Sequence, residues 1–135
     1  MNGSEPQKPS YRPMERPLVE EMERGLRSWA DDRDDMLEVS IPGRTPGDLP
    51  VLLWRITDSD VADADKQIAL ITTCHAGHEI NTATGSLRFT RWLISSDPEA
   101  AKIRRRQIVL VMPCCDPEGF EMRRNRNSLG LSPYM

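Results

Sequence analysis

The chain has 135 residues, of which 38% are hydrophobic and 29% are charged. This length allows one domain, and no apolar run approaches the roughly 20 residues that a membrane helix requires. The first residues lack the apolar core of a signal peptide, and the three cysteines, two of them adjacent, make a poor disulfide framework. We therefore expect a cytoplasmic protein that does not bind membranes.

The net charge of −3 conceals an uneven distribution of charged residues. Residues 15–65 hold 14 of the 21 acidic residues, whereas residues 88–126 hold 9 of the 18 basic ones. Two solvated faces that attract each other within the fold account for this distribution. A nucleic-acid site would need aromatic side chains among the basic ones, and the run Arg104-Arg105-Arg106 has no aromatic neighbour. The sequence therefore indicates no nucleic-acid partner.

The chain begins with a polar leader. Residues 1–16 have few apolar positions and are predicted to be disordered, which leaves residues 17–135 as one α/β unit. Pro17 suits the first position of a helix. The apolar stripe of that helix consists of Leu18, Met22, Leu26 and Trp29. Alternation from Met36 to Ile41 then predicts a half-buried strand, and residues 42–48, dense in Pro and Gly, predict a turn.

Further strands and helices are predicted downstream. Residues 51–57 and 67–73 are typical of strands. The apolar pattern then takes a helical period, and one helix face is formed by Ile80, Ala83, Leu87 and Ile94. Asp97 before Pro98 predicts the start of a second helix. The apolar run Ile108–Met112 predicts a central strand buried on both faces, after which the chain should be irregular.

This order of elements predicts an α/β fold. A strand–helix–strand crossover from Gln67 to Met112 requires parallel pairing, so we expect a mixed, largely parallel sheet with flanking helices. The chain stops on a loop after the last strand. We therefore expect half of a domain, with an uncovered sheet edge through which copies of the chain can self-associate.

Two histidines and a glutamate follow the strand at 67–73, in Cys74-His75-Ala76-Gly77-His78-Glu79. Residues at the carboxyl end of a strand face the crevice where open α/β sheets bind ligands, and imidazole and carboxylate groups bind zinc. A polar loop whose histidines bond to the backbone is the alternative. A thiol-dependent site that uses Cys74 with either histidine is weaker, because neighbouring strand residues point to opposite faces.

The same segment, followed by Ile80-Asn-Thr-Ala83, resembles the His-x-x-Glu zinc motif of the M14 metallocarboxypeptidases, which closes a strand and opens a helix. Downstream, Ile108-Val-Leu-Val-Met-Pro-Cys-Cys-Asp-Pro-Glu-Gly119 is similar to that family's strand followed by Pro-x-x-Asn-Pro-Asp-Gly. Upstream, Ser40-Ile-Pro-Gly-Arg44 resembles its Gly-Arg hairpin. The resemblance covers roughly residues 37–130 and implies the amino-terminal part of a zinc-carboxypeptidase domain.

The resemblance implies a zinc cofactor bound by His75 and Glu79, and hydrolysis of a C-terminal peptide or related amide bond by a metal-activated water. A family arginine that binds substrate would be Arg124 or Arg126, and we assign Arg126. The motif here is one residue longer than the family's, so either the turn bulges and His75 reaches the metal, or His78 replaces it.

The family's third zinc ligand, a histidine, and its catalytic glutamate lie further along the chain. No histidine follows His78 here, so we assign no catalytic residue. The alternative function is a non-catalytic α/β binding or interaction module that retains half of the peptidase fold.

Overall fold

The computed structural model describes residues 19–125 and Leu129, so the predicted leader at residues 1–16 lies outside the described part. The elements in chain order are α1 (Val19–Asp32), β1 (Leu37–Arg44), β2 (Pro50–Ile56), β3 (Gln67–Thr72), α2 (Ile80–Leu93), α3 (Pro98–Arg106), β4 (Gln107–Met112) and α4 (Pro117–Met122). A short 3₁₀ turn, Asp63–Asp65, precedes β3. None of the helices in this part of the chain has the length and apolarity needed to span a bilayer.

The four strands form one mixed sheet in the order β1-β2-β4-β3. β2 pairs antiparallel with both β1 and β4, whereas β3 and β4 are parallel neighbours joined through α2 and α3. The predicted α/β fold with a mixed sheet and flanking helices is confirmed. Parallel pairing is confined to the β3–β4 crossover. β1 and β2 are joined by the short turn at residues 45–49, which allows only an antiparallel pair.

The hydrophobic core lies on one face of this sheet. Cross-strand pairing places Trp54 beside Val111 and Ile56 beside Val109, and each of these side chains is at most 1% exposed. α1, α2 and α3 contribute buried side chains to the same cluster, among them Met22, Leu26, Ala83, Leu93 and Ala100. The amphipathic helices therefore cover the Trp54 face of the sheet.

The described residues cover the opposite face of the sheet only partly. Its apolar side chains, which we call the open face, are Val51, Leu53, Ile68, Leu70, Ile108, Leu110 and Met112. Ile68 and Leu70 are 71% and 63% exposed, Ile108 is buried, and the others are half-buried. The prediction that the strand at 108–112 is buried on both faces is therefore wrong at Leu110 and Met112, because the three longer helices all pack against the Trp54 face.

Two segments that were predicted to be irregular are regular. β1 continues to Arg44 through Pro42 and Gly43, with a β-bulge between Ser40 and Gly43. An edge strand tolerates a proline because the missing N–H removes no ladder hydrogen bond. After β4, α4 forms because Pro117 opens it and the side chain of Asp116 accepts a hydrogen bond from the N–H of Gly119 at 3.0 Å.

The buried face of α2 also differs from the predicted one. Its buried residues are Ala83, Ser86, Thr90 and Leu93. Of the predicted residues, Ala83 and Ile94 are buried, while Ile80 and Leu87 are half-buried. Thr90 belongs to the core because its Oγ1 accepts a buried hydrogen bond from Trp54 Nε1 at 2.8 Å. Apolar spacing alone could not identify a face that relies on small hydroxyl residues with satisfied hydrogen bonds.

Candidate active site

The chain segments that follow β3 and β4 run side by side. Thr73 N donates to Met112 O at 3.0 Å, and Cys115 N donates to the carbonyl oxygens of Thr73 and Cys74 at 3.1 and 3.2 Å. The histidine-bearing turn and the Cys-Cys-Asp-Pro loop are far apart along the chain. They therefore meet only in the fold, at the carboxyl ends of neighbouring parallel strands. Ligand sites in open α/β sheets occupy this position.

Cys74 reverses the chain at the end of the strand. Its φ of 50° lies in the left-handed region, and its N–H donates to Thr82 Oγ1 at 2.9 Å. The Cys74 side chain is fully buried, whereas His75 is exposed. The two side chains therefore point apart, as expected for a thiol that packs in the core rather than one that works with the adjacent imidazole.

Burial and a neighbouring thiol also make Cys114 and Cys115 poor nucleophiles. A hydrogen bond with Cys74, reinforced by burial, raises the pKa of the Cys114 thiol above its ordinary value. Burial, and then the proximity of Cys74, raises the pKa of Cys115. Because the thiolate is the reactive form, these shifts argue against Cys114 and Cys115 as nucleophiles.

Glu79 closes the turn that contains the extra residue of the motif. Its Oε2 accepts hydrogen bonds from the backbone N–H groups of His75 at 2.9 Å and Ala76 at 3.4 Å. Glu79 immediately precedes α2, and Ala76, which the shorter family motif would place at the histidine position, is fully buried. The added residue is therefore absorbed as a loop over residues 75–79, with Glu79 folded back onto His75.

The two imidazoles turn to different neighbours. His75 Nε2 lies 2.9 Å from Thr72 Oγ1, and its Nδ1 makes no hydrogen bond to the described residues. His78 Nδ1 instead contacts Asn125 Oδ1, in the segment after α4. Glu79 is therefore associated with His75 rather than with His78. The contacts with Thr72 and Asn125 could not be predicted, because neither residue belongs to the motif.

Gly77 seats the turn directly on the backbone of the loop after β4. A Cβ at Gly77 would lie 2.0 Å from the C and O atoms of Gly119 and 2.4 Å from the carbonyl oxygen of Arg124. Arg124 N in turn donates to Gly119 O at 2.9 Å. The structure thus places Arg124 beside the turn, while Arg126, the predicted substrate-binding residue, lies outside the described residues.

Two carboxylates hold the loop and the upstream hairpin together. Glu118 is 3% exposed and accepts a hydrogen bond from the N–H of Gly47, in the turn between β1 and β2. Asp116 Oδ1 caps α4, and its Oδ2 is buried without a partner among the described residues. The contact between Gly47 and Glu118 thereby joins the Gly-Arg hairpin to the loop after β4, which already contacts the histidine turn. Sequence reasoning missed Glu118, which looked like an ordinary turn residue.

A hydrolytic zinc site requires three protein ligands and an open position for water. No group of three or more His, Cys, Asp or Glu side chains in the described part of the chain is arranged to hold a metal ion. Glu79 Oε2 also already accepts hydrogen bonds from two backbone N–H groups. By themselves, then, the described residues do not fit a zinc ion. They offer His75 and Glu79 on one turn, and no third ligand.

A mixed sheet with this crossover, and with a His/Glu turn, a Pro-x-x-Asp-Pro-Glu-Gly loop and a Gly-Arg hairpin held together at the strand ends, defines a metallocarboxypeptidase-like architecture. The chain belongs to the zinc carboxypeptidase family, Peptidase_M14, whose family model matches residues 22–132. No curated protein sequence matches the chain.

Solved structures show the same fold at low sequence identity. Carboxypeptidase A from Helicoverpa armigera matches with a TM-score of 0.68 and 17% identity, over 76% of this chain and 25% of that chain. A metallo-carboxypeptidase from Burkholderia cenocepacia matches with a TM-score of 0.68 and 20% identity, over 82% and 31%. Bovine thrombin-activatable fibrinolysis inhibitor, solved with a tick carboxypeptidase inhibitor, matches with a TM-score of 0.57 and 10% identity, over 76% and 32%. The chain therefore spans about a quarter to a third of the length of these structures.

Proposed function

We propose that the complete protein is a cytoplasmic zinc-dependent hydrolase of the metallocarboxypeptidase type, acting on a C-terminal peptide or related amide bond. This chain contributes the first part of its metal site. The observation that carries the proposal is the 2.9 Å hydrogen bond from His75 N to Glu79 Oε2, which keeps both candidate ligands on one turn at the carboxyl end of β3 despite the longer motif.

Each residue at the turn then has a defined role. His75 would hold the metal, and the hydrogen bond between its Nε2 and Thr72 Oγ1 would orient the ring, as outer-shell hydrogen bonds do in metal sites. Glu79 supplies the carboxylate. Arg126 is the proposed substrate-binding residue, on the segment that begins with Arg124. A third ligand and a general base have to come from outside the described residues.

A second function has its own support. The Glu79 carboxylate already accepts two backbone hydrogen bonds, and His75 is already bonded to Thr72, so the turn is satisfied without a metal. These contacts favour a non-catalytic binding module that retains the peptidase half-fold, if zinc proves not to bind.

Zinc titration of the full chain separates the two functions. For the hydrolase, we expect wild-type protein to bind zinc, and His75→Ala and Glu79→Gln each to weaken that binding by about 10–100-fold or more, since even outer-shell changes cost that much. Glu79→Gln is the sharper variant, because its amide oxygen still accepts from the backbone while it is a much poorer zinc ligand. His78→Ala is the matched control and should bind zinc like wild type.

Circular dichroism on every variant establishes that it is folded. A folded wild-type chain that binds no zinc would contradict a zinc site on the His75–Glu79 turn of this chain and favour the binding module. Loss of zinc in His78→Ala but not in His75→Ala would assign the first ligand to His78 instead.

A further inference from the structure

One side chain of α2 contacts both ends of the histidine turn at residues 75–79. Thr82 Oγ1 accepts a hydrogen bond from the N–H of Cys74 at 2.9 Å, directly before the turn. The same hydroxyl donates to the carbonyl oxygen of Glu79 at 2.6 Å, where the turn ends. The direction of both bonds is fixed, because a backbone N–H can only donate and a carbonyl oxygen can only accept. The Thr82 hydroxyl therefore bridges the turn with its single proton and one lone pair.

The contact matters at Cys74 because of the backbone conformation there. The φ of 50° lies in the left-handed region, which is unfavourable for a residue with a Cβ. The Cys74 carbonyl oxygen accepts from the N–H groups of Cys115 and Asp116, both at 3.2 Å, and Thr82 binds the Cys74 N–H from the other side. A strained residue persists only where its surroundings fix it. Loss of the Thr82 hydroxyl would therefore remove one of the contacts that hold Cys74.

At the other end of the turn, Thr82 fixes the backbone of Glu79. The Glu79 carbonyl oxygen accepts from the N–H of Thr82 at 3.1 Å as well as from its hydroxyl. Glu79 directly precedes α2, a position from which a side chain ordinarily caps the helix. Its Oε2 instead accepts from the N–H groups of His75 at 2.9 Å and Ala76 at 3.4 Å. Thr82 thus holds the backbone from which the Glu79 carboxylate reaches back to His75.

We propose that Thr82 is a positioning residue of the site. Its hydroxyl sets the distance between the two ends of the turn and thereby keeps His75 and Glu79 together. The added residue of the longer motif then lies within the loop, and both candidate ligands keep their places. The consequence for zinc rests on the proposed function, because Thr82 acts only through the backbone of Cys74 and Glu79 and not as a ligand.

Three variants isolate the hydroxyl. Thr82→Val removes it and keeps the branched shape of the side chain, whereas Thr82→Ser keeps the hydroxyl. Thr84→Val is the matched control, because Thr84 is also exposed on α2 but its Oγ1 donates to Ile80 O at 3.2 Å, within the same helix. Thr82→Ser and Thr84→Val should behave like wild type in every measurement.

Solvent exchange of backbone amides in the zinc-free chain, followed by nuclear magnetic resonance, tests the positioning. Relative to the amides of β4, Thr82→Val should accelerate exchange at Cys74 by about tenfold or more, because that N–H loses its acceptor. The His75 amide should accelerate as well, although it donates to Glu79 and not to Thr82, because its acceptor shifts with the turn. Acceleration at Cys74 alone, or at neither amide, would overturn the proposal.

Zinc titration of the same variants separates this proposal from the proposed function. If wild type binds zinc, Thr82→Val should weaken binding by about 10–100-fold, as outer-shell changes do, and an unchanged affinity would overturn the proposal. If wild type binds no zinc, the proposed zinc site fails, and amide exchange still decides the role of Thr82. Should Thr82→Val not fold, Thr82→Ala, which lacks the same hydroxyl, takes its place.

Discussion

At the scale of single residues, the candidate site depends on Gly77, because a glycine has no side chain to separate the turn from its neighbour. Gly77 lies against the backbone of Gly119 and Arg124, where a Cβ would come within 2.0 Å of backbone atoms. Backbone atoms cannot move aside as the end of a flexible side chain can, so any larger residue must displace the whole turn.

We therefore expect Gly77→Ala to lower the free energy of unfolding by roughly 3 kcal/mol, at the upper end of overpacking effects. Gly85→Ala is the matched control, because Gly85 lies inside α2 with nothing within 4 Å of its Cβ position. That substitution should raise stability by up to about 1 kcal/mol through helix propensity. Urea unfolding measures both, and equal stability of the two variants would mean that Gly77 does not make this contact.

Glu79 and Glu118 mark the limit of sequence reasoning at the same scale. The motif position of Glu79 identified it as a candidate ligand, but its hydrogen bonds to the His75 and Ala76 backbone depend on how the turn folds. Glu118 contacts Gly47, 71 residues away along the chain, and no local pattern encodes such a pair. The residue types at the site were predictable, whereas their partners required the fold.

At the scale of elements, α3 starts where its sequence predicted. Asp97 Oδ1 accepts from the N–H groups of Glu99 and Ala100 at 2.8 and 3.3 Å, and the first of these bonds is the main reason that the pKa of Asp97 falls below its ordinary 3.8. A carboxyl with a lower pKa in the folded state stabilises that state above its unfolded pKa. This contribution is lost as the pH falls through the folded value.

Wild type should therefore unfold at a higher temperature than Asp97→Asn at neutral pH, and the difference should vanish in acid below the folded pKa. Asparagine keeps the capping oxygen, so this pair isolates the charge. Asp97→Ala removes the acceptor as well and should melt lower than wild type at both extremes. Thermal melts over a pH series provide the measurement, and a wild-type-to-Asn difference that persists in strong acid would rule out Asp97 as its origin.

Other elements show why local patterns were only partly sufficient. The arginine run in α3 has the appearance of a charged patch, but Arg104 is buried and donates to Leu93 O and to Ser95 O at the end of α2. The Pro-Gly dipeptide in β1 looked like a turn and proved to be a bulge. In both cases the deciding partner lies on another element, so propensity within the segment could not reveal it.

At the scale of the whole molecule, the order of elements and the β3–β4 crossover followed from the sequence, but the coverage of the sheet did not. Ile108–Met112 is apolar on both sides, as in a strand covered by two layers. The described helices cover only the Trp54 face, and a strand carries no mark of which neighbours are present. The uncovered face and edge emerge only when all elements are assembled.

This asymmetry predicts a gradient of backbone protection. Hydrogen exchange should be slowest in central β4. Thr73 N donates to Met112 O, so the backbone groups of the odd-numbered residues of β3 face β4. The Leu70 amide should therefore exchange on the order of 100-fold faster than the Ile71 amide. Nuclear magnetic resonance resolves the individual amides. Equal exchange at Leu70 and Ile71 would contradict the alternation of backbone groups along β3.

The contact of Gly77 with Gly119 and Arg124 has a mechanical consequence. No side chain separates the two backbones, so the turn at residues 75–79 cannot slide past the backbone of Gly119 and Arg124. The two segments must move together. A displacement of either segment therefore has to displace the other as well.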